Sequence, residues 1–383
     1  MNKVNEVFEK IDELNEKFIK VWEDVCNIES PTSSKEGVDA VGRFFADMAK
    51  ERGWEVEFCH QKISGDAVCI TMNPDAKGQS ICFSGHMDTV HPIGLFGTPA
   101  VTMDDEKIYG PGVADCKGGV VSSFMAMEAM DEVGFCDRPI KLILQSDEET
   151  SSDGSGKKTI EYMCEKAKGA AAFLNAEPGR VGKATLVRKG IIRYEYCIEG
   201  KAAHSAECQL GASAIAEAAH KILELEKYKE ADGITINCGL IEGGTTFNTV
   251  AEKCTFAADV RFPGEKEEKE VRRFCEEVAK KTYIEGCKCT LNEKSYRAEM
   301  ERNHQNFDLL DKMNGIFKSV DLIPLEAQMR PGGSDAAYTS IAKIPSIDSI
   351  GVIGGEIHSR GEFAYLDSLS KSAKYLAAVA MCL

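Results

Sequence analysis

The sequence predicts an α/β protein, with a mixed, mostly parallel sheet flanked by helices and a smaller ferredoxin-like α+β domain inserted into it. Three observations carry this. Apolar strand-like runs alternate with amphipathic helices over residues 3–185. Near residue 184 the pattern changes to the order β-α-β-β-α-β. From about residue 300 the first pattern resumes. The expected domains are therefore 1–185 together with 299–383, and 186–298 as the insertion. At 383 residues the chain exceeds the roughly 250–300 that one core serves, which agrees with two domains.

The elements follow in order. Val4, Phe8, Ile11, Leu14, Phe18, Val21 and Cys26 recur at helical spacing. "PTSSKEG" interrupts, and a second helix is expected from about 35 to 52. "WEVEFCH", "AVCITM" and "ICFSG" read as strands, "VVSSFMAMEAM" as a buried helix, and "IKLILQS" and "AAAFLNAE" as further strands. In the insertion, "ATLVRKGIIRYEYCIEG" is one long strand or two, and "SAIAEAAHKILELEKY" is a helix. "ITINCGLIEGG" and "NTVAEKCTFAADVRFP" are strands, "KEEKEVRRFCEEVAKKTY" is an amphipathic helix, and "CKCTLNE" is the last strand. The chain ends in the helix "LDSLSKSAKYLAAVAMCL".

Composition narrows the function classes. The formal net charge of −16 argues against a nucleic-acid partner, which would need a clustered basic surface. No stretch approaches the roughly 18 consecutive apolar residues of a membrane span. The N-terminus, "MNKVNEVFEKIDELNEKFIK", lacks the apolar core of a signal peptide. The fifteen cysteines are scattered, and only Cys287 and Cys289 are close, without zinc-pair spacing. Reduced thiols in a cytoplasm are expected.

Candidate chemistry lies just beyond strand ends, the ligand-binding edge of an open α/β sheet. "ICFSGHMDTV" presents His86 and Asp88 after an apolar run. Two residues apart in extended chain, they share a side. Taken alone the pair is better read as a solvated loop. "GPGVADCKGG" sets Asp115 in a glycine-dense turn, where backbone can approach a ligand closely. "QSDEETSSDGSG" supplies Asp147, Glu148 and Glu149, "LNAEPG" supplies Glu177, and "GGEIHSRGE" supplies His358. His60, His91, His220 and His304 read as surface or polar-core histidines. Acidic runs are usually solvated, but carboxylates crowded at one sheet edge repel unless cations neutralise them. Two histidines with several carboxylates suit zinc, or less selectively manganese or cobalt. One Asp shared by two ions, each completed by one His and one Glu, would make a two-metal centre with ions about 3.5–4 Å apart that activate a water. A spare Glu would be the general base.

These motifs resemble the co-catalytic zinc exopeptidase family of glutamate carboxypeptidase, acetylornithine deacetylase, succinyl-diaminopimelate desuccinylase, peptidase T and aminoacylase. "SGHMDTV", "GPGVADCKGG", "SDEETSSDGS", "NAEP", "GKAAHS", "NTVAEKCTFAADVRFP", "GGSDAAY" and "IHSRGE" occur in the family's order along nearly the whole chain. "RPGGSDAAYTSIAKIPSIDSIG" is most similar to the glutamate carboxypeptidase branch. The resemblance implies two divalent metal ions, with His86 and Glu177 as terminal ligands of one and Glu149 and His358 of the other. Asp115 would bridge them, Asp88 would orient His86, and Glu148 would be the base. It also implies a cis peptide bond at Asp115–Cys116. His204 would stabilise the oxyanion from a lid domain that also forms a homodimer, reaching into the partner's site. Asn248 and Arg261 would contact substrate, Arg261 through a carboxylate, for which Arg297 and the backbone of Gly332 and Gly333 are weaker candidates. The loop "HSAECQLGAS" departs from the family in being shorter and lacking proline. The implied activity is hydrolysis of a peptide or amide bond in a small carboxylate-bearing substrate, as exopeptidase or alternatively as N-acyl amino acid deacylase. A reading of another class, a non-catalytic dimeric binding protein, predicts damaged ligands or base, whereas all seven positions are intact.

Overall fold

The computed structural model describes residues 2–230 and 233–383. Its main sheet has eight strands in the order Glu55–Cys59, Ala67–Met72, Ile140–Gln145, Ile81–His86, Ala172–Asn175, Ser346–Asp348, Lys183–Arg188, Glu326–Arg330. From Ile140–Gln145 to Ser346–Asp348 the four central strands run parallel. Antiparallel partners flank them on both sides, so the sheet is mixed with a parallel centre, as expected.

The central strands are mostly apolar and, apart from the half-buried Lys141, buried, because helices cover both faces. Successive side chains of Ile81–His86 show this. Ser84 hydrogen-bonds toward Met163 of helix Lys158–Ala167, whereas a Cβ on Gly85 would meet Val120 of helix Lys117–Glu132. On the second face, helices Asn2–Cys26, Lys35–Glu51 and Lys117–Glu132 join through Phe18, Phe45, Trp54 and Phe124. Helix Ser368–Cys382 packs on the same group.

A small sheet stands apart, with strands Gly354–Gly355, Phe363–Tyr365, Lys107–Tyr109 and Thr102–Met103 side by side. Its strands are two or three residues long. Nothing in the sequence pattern announced them.

The chain divides into two compact units, one of residues 1–186, 302–329 and 335–383, the other of residues 187–301 and 330–334. In the second unit, strands Thr235–Gly243, Lys253–Phe262, Gly190–Glu199 and Lys288–Arg297 lie in that order, all antiparallel. Helices Ala214–Leu225 and Glu265–Lys280 pack on this sheet. The β-α-β-β-α-β chain order with this strand order is ferredoxin-like. The stretch "ATLVRKGIIRYEYCIEG" proves to be two strands, the first belonging to the main sheet and the second to the small unit's. Among the described residues, no helix is long and apolar enough to cross a membrane.

Candidate metal centre and active site

Strand register assembles the first half of the site. His86 is the last residue of its strand and lies opposite Gln145, while Ser84 lies opposite Asn175. Parallel neighbours therefore end together. The residues that follow, Asp88, Glu148, Glu149 and Glu177, emerge at one sheet edge. Gly119 allows helix Lys117–Glu132 to start against this edge, since a Cβ there would lie 1.8 Å from the carbonyl oxygen of Ala176. The peptide bond Asp115–Cys116 just before that helix is cis, as expected.

The three acids after Gln145 have separate duties. Asp147 turns inward, accepting from Ser155 N–H (2.8 Å) and the Thr159 hydroxyl (2.9 Å). Glu148 and Glu149 open a 3₁₀ turn of residues Glu148–Thr150, and Glu148 is only 7% exposed. Asp88 fixes that turn. Its Oδ1 accepts the N–H of Glu148 (3.2 Å), and its Oδ2 accepts the N–H of Glu149 (3.1 Å) and the Thr32 hydroxyl (2.7 Å). Toward His86, Nδ1 lies 2.9 Å from the Asp88 carbonyl oxygen and 3.4 Å from its carboxylate. The ring's nearest hydrogen-bond acceptor is thus the main chain of Asp88, and its side chain chiefly braces the acidic turn.

The small sheet brings the second half. Phe363 pairs with Tyr109, which joins the loop carrying His358 to the turn carrying Asp115. Asp115 Oδ1 lies 3.0 Å from His86 Nε2, and its Oδ2 lies 3.3 Å from His358 Nε2. Glu177 Oε1 is 3.6 Å from His86 Nε2, and Glu149 Oε2 is 3.2 Å from His358 Nε2. The five residues thus form a chain, Glu177–His86–Asp115–His358–Glu149, centred on one aspartate.

Electrostatics follow from the crowding. Burial disfavours charge on His86, but Asp115 and Asp88 prevail and its pKa rises well above the ordinary histidine range. Hydrogen bonding to Asp115 and Glu149 raises His358 to about 10. Burial would lift the Asp115 carboxyl, yet His358 and His86 hold it well below the usual range. Glu149 is pushed up by burial and by the charge of Asp115. Without a metal, the carboxylates thus favour protonation of both imidazoles. The donor atoms of His86, Asp115 and Glu149 lie within 4.8 Å of one another, as do those of His86, Cys116 and Glu177. Imidazole and carboxylate donors at this spacing fit divalent cations.

The remaining candidates lie in the second unit. His204 precedes a 3₁₀ turn, Ser205–Leu210, and its Nδ1 accepts the N–H of Ala206 at 3.1 Å. With Nδ1 accepting, Nε2 is the ring nitrogen left to donate. Asn248 is adjacent, because its carbonyl accepts the N–H of Ser205 and His204 bridges to Thr249. Arg261 is engaged within its own strand, donating from Nε and Nη2 to the two carboxylate oxygens of Asp259 at 2.6 and 3.1 Å. Arg297 is buried and packs against Gly333, where a Cβ would meet its Cδ at 2.3 Å. Gly332 and Gly333 turn their carbonyls to Arg188, each at 3.2 Å.

Arg188, Thr32 and Glu362 were not singled out from the sequence, and His91 read there as a surface or polar-core histidine. Glu362 is 1% exposed and lies four residues after His358 in "IHSRGE", the one signal that could have marked it.

The family model described as peptidase family M20/M25/M40 matches residues 82–381. Carboxypeptidase G2 of Pseudomonas sp. (strain RS-16) is 28% identical over 383 residues, covering 98% of this chain and 91% of that protein. Among solved structures, a tripeptidase of Staphylococcus aureus superposes with a TM-score of 0.79 at 20% identity, covering 96% of this chain and 98% of that one. The YXEP protein of Bacillus subtilis, a dinuclear metal binding peptidase of the M20 family, superposes with a TM-score of 0.68 at 17% identity, covering 97% and 98%.

Proposed function

The chain belongs to peptidase family M20/M25/M40, hydrolases of peptide and amide bonds, and from that premise we propose that it is a two-metal exopeptidase of the glutamate carboxypeptidase or dipeptidase type. The observation that carries this reading is Asp115 placed between His86 and His358 with one carboxylate oxygen toward each. His86 and Glu177 would hold one ion, Glu149 and His358 the other, and Asp115 both. Two divalent ions there, zinc before manganese or cobalt, would supply Lewis acidity toward a scissile carbonyl and a water of lowered pKa.

The protein's own groups supply the rest. Glu148 is held in place through its main-chain N–H by Asp88, and its carboxylate takes the proton of the attacking water and delivers it to the leaving nitrogen. His204, with its proton on Nε2, donates to the oxyanion as it forms. Asn248, Arg261, Arg297 and the Gly332–Gly333 backbone orient the substrate carboxylate. For Arg261 this means exchanging or sharing its contact with Asp259.

The chain acts as a homodimer formed by the second unit. Thr235–Gly243 is an edge strand of that unit's sheet, with Leu240 and Ile241 exposed. Such an edge is a template for pairing with a second copy. Buried free thiols such as Cys26, Cys82 and Cys254 support a reducing compartment, the cytoplasm.

The test is a hydrolysis panel on metal-loaded protein. Dipeptides and C-terminal acidic peptides should be cleaved faster than N-acetyl and N-succinyl amino acids. Faster cleavage of the acyl amino acids would replace the exopeptidase reading by a deacylase.

A further inference from the structure

Glu362 is a buried carboxylate with three partners and no place in the hydrolysis just described. Its Oε1 accepts the consecutive main-chain N–H groups of Ala114 and Asp115, both at 3.0 Å. Its Oε2 lies 2.7 Å from Nε2 of His91, itself only 4% exposed. Its own carbonyl accepts the N–H of Gly110 at 3.2 Å. Strand Phe363–Tyr365 begins at the next residue and pairs with Lys107–Tyr109.

Two consecutive N–H groups converging on one oxygen hold a turn in a single conformation. A carboxylate acceptor makes each bond stronger than a neutral one would. The turn held here carries Asp115, whose carboxylate meets both His86 and His358. His358 lies four residues earlier on the same loop as Glu362, in a left-handed conformation (φ 63°). Main-chain bonds from Ser359 to Glu356 and from Glu362 to Ser359 close the intervening turn. One short loop therefore supplies a candidate ligand and clamps the residue between the two candidate metal sites. The clamp itself is braced by His91, which stacks edge-on against Phe96 at 5.0 Å between ring centroids.

We infer that Glu362, backed by His91, is a positioning residue that sets Asp115 and His358 relative to each other and so couples the loading of the two metal ions. The inference rests on the two-metal reading above. It predicts that loosening the clamp weakens metal binding while every proposed ligand remains. Groups that orient metal ligands typically contribute 10–100-fold in affinity.

The experiment is zinc affinity and stoichiometry by chelator competition, with the visible spectrum of the cobalt-loaded protein, on four chains. Wild type should bind two ions. Glu362→Ala should lose 10-fold or more in affinity for at least one ion and show an altered cobalt spectrum. Glu362→Gln keeps an oxygen for both N–H groups and should stay within about threefold of wild type. Glu128→Gln is the control for a merely structural role. Glu128 is equally buried in the same unit but pairs with Lys17 and Arg52, and this change should lower stability without moving affinity or spectrum. If Glu362→Ala does not fold, Glu362→Asp, which withdraws the carboxylate by one methylene, takes its place with the same expected loss. Two tightly bound ions in wild type and an unchanged affinity and spectrum in Glu362→Ala or Glu362→Asp would overturn this inference and leave the two-metal reading intact. A wild-type chain that binds no zinc would overturn both.

Discussion

Oδ2 of Asp88 accepts the main-chain N–H of Glu149 at 3.1 Å, so the residue two positions after the candidate ligand His86 holds the turn that bears the proposed base and another candidate ligand. Asp88→Ala would leave the N–H groups of Glu148 and Glu149 and the hydroxyl of Thr32 without this acceptor. The expected cost is about 2 kcal/mol or more in stability, by urea unfolding of the metal-free protein. Zinc affinity should fall about 10–100-fold with it. Unchanged affinity would show that the Glu148–Thr150 turn needs no brace.

Protons should compete with metal at this site. His86 and His358 are both raised in the metal-free protein, His358 to about 10. Binding must displace those protons, so apparent affinity should climb as pH rises from 6 to 9. Titration calorimetry in buffers of different ionisation enthalpy should record proton release near pH 7.5. Without metal the sign reverses for stability. The His358 contribution is fully present below its unfolded pKa of about 6.5 and is lost as pH rises toward its folded value. Proton uptake on binding would contradict this.

Gly119 carries a packing prediction. Its missing Cβ would fall 1.8 Å from Ala176 O, one residue before Glu177. Gly119→Ala must displace either the helix start or the strand end, at an expected cost of about 1–3 kcal/mol. Denaturant midpoints measure it, and a neutral result would mean the backbone yields freely there.

In the second unit, Lys221 and Glu217 form a fully buried pair at 3.0 Å. Lys221 also donates to the carbonyls of Val278 and Ala279, while Glu217 accepts from Tyr283 and Ile284 N–H. Removing one partner strands the other charge, so Lys221→Met should destabilise by about 3–5 kcal/mol. Thermal unfolding followed by calorimetry tests this, and a shift of less than a degree would contradict it.

The dimer has its own check. Leu240→Lys with Ile241→Glu puts charges on the exposed edge strand and should convert a dimer to a monomer in sedimentation velocity. A monomeric wild type would refute the proposed assembly.

How much of this was legible follows from where each residue sits. His86, Glu148, Glu149 and Glu177 follow apolar runs that register as neighbouring parallel strands, so strand periodicity and the sheet-edge rule reach them. Asp115 and His358 stood out only as residues of loop-like stretches rich in small residues, and motif resemblance supplied their roles. The strands that join them are two or three residues long, too short to leave a periodic trace. His91 read as a bland histidine because its partner, Glu362, is 271 residues away. Arg261 shows the opposite gap. Motif resemblance suggested a carboxylate binder, and the structure shows that Asp259, two residues earlier, already holds its guanidinium.

The most direct test of the central claim is Glu148→Gln, measured for both metal content and peptide hydrolysis. Two bound ions are expected, as in wild type, with hydrolysis reduced by about 10²–10⁴-fold, the span of a lost general base. A Glu148→Gln protein that cleaves the same peptides at the wild-type rate would contradict it.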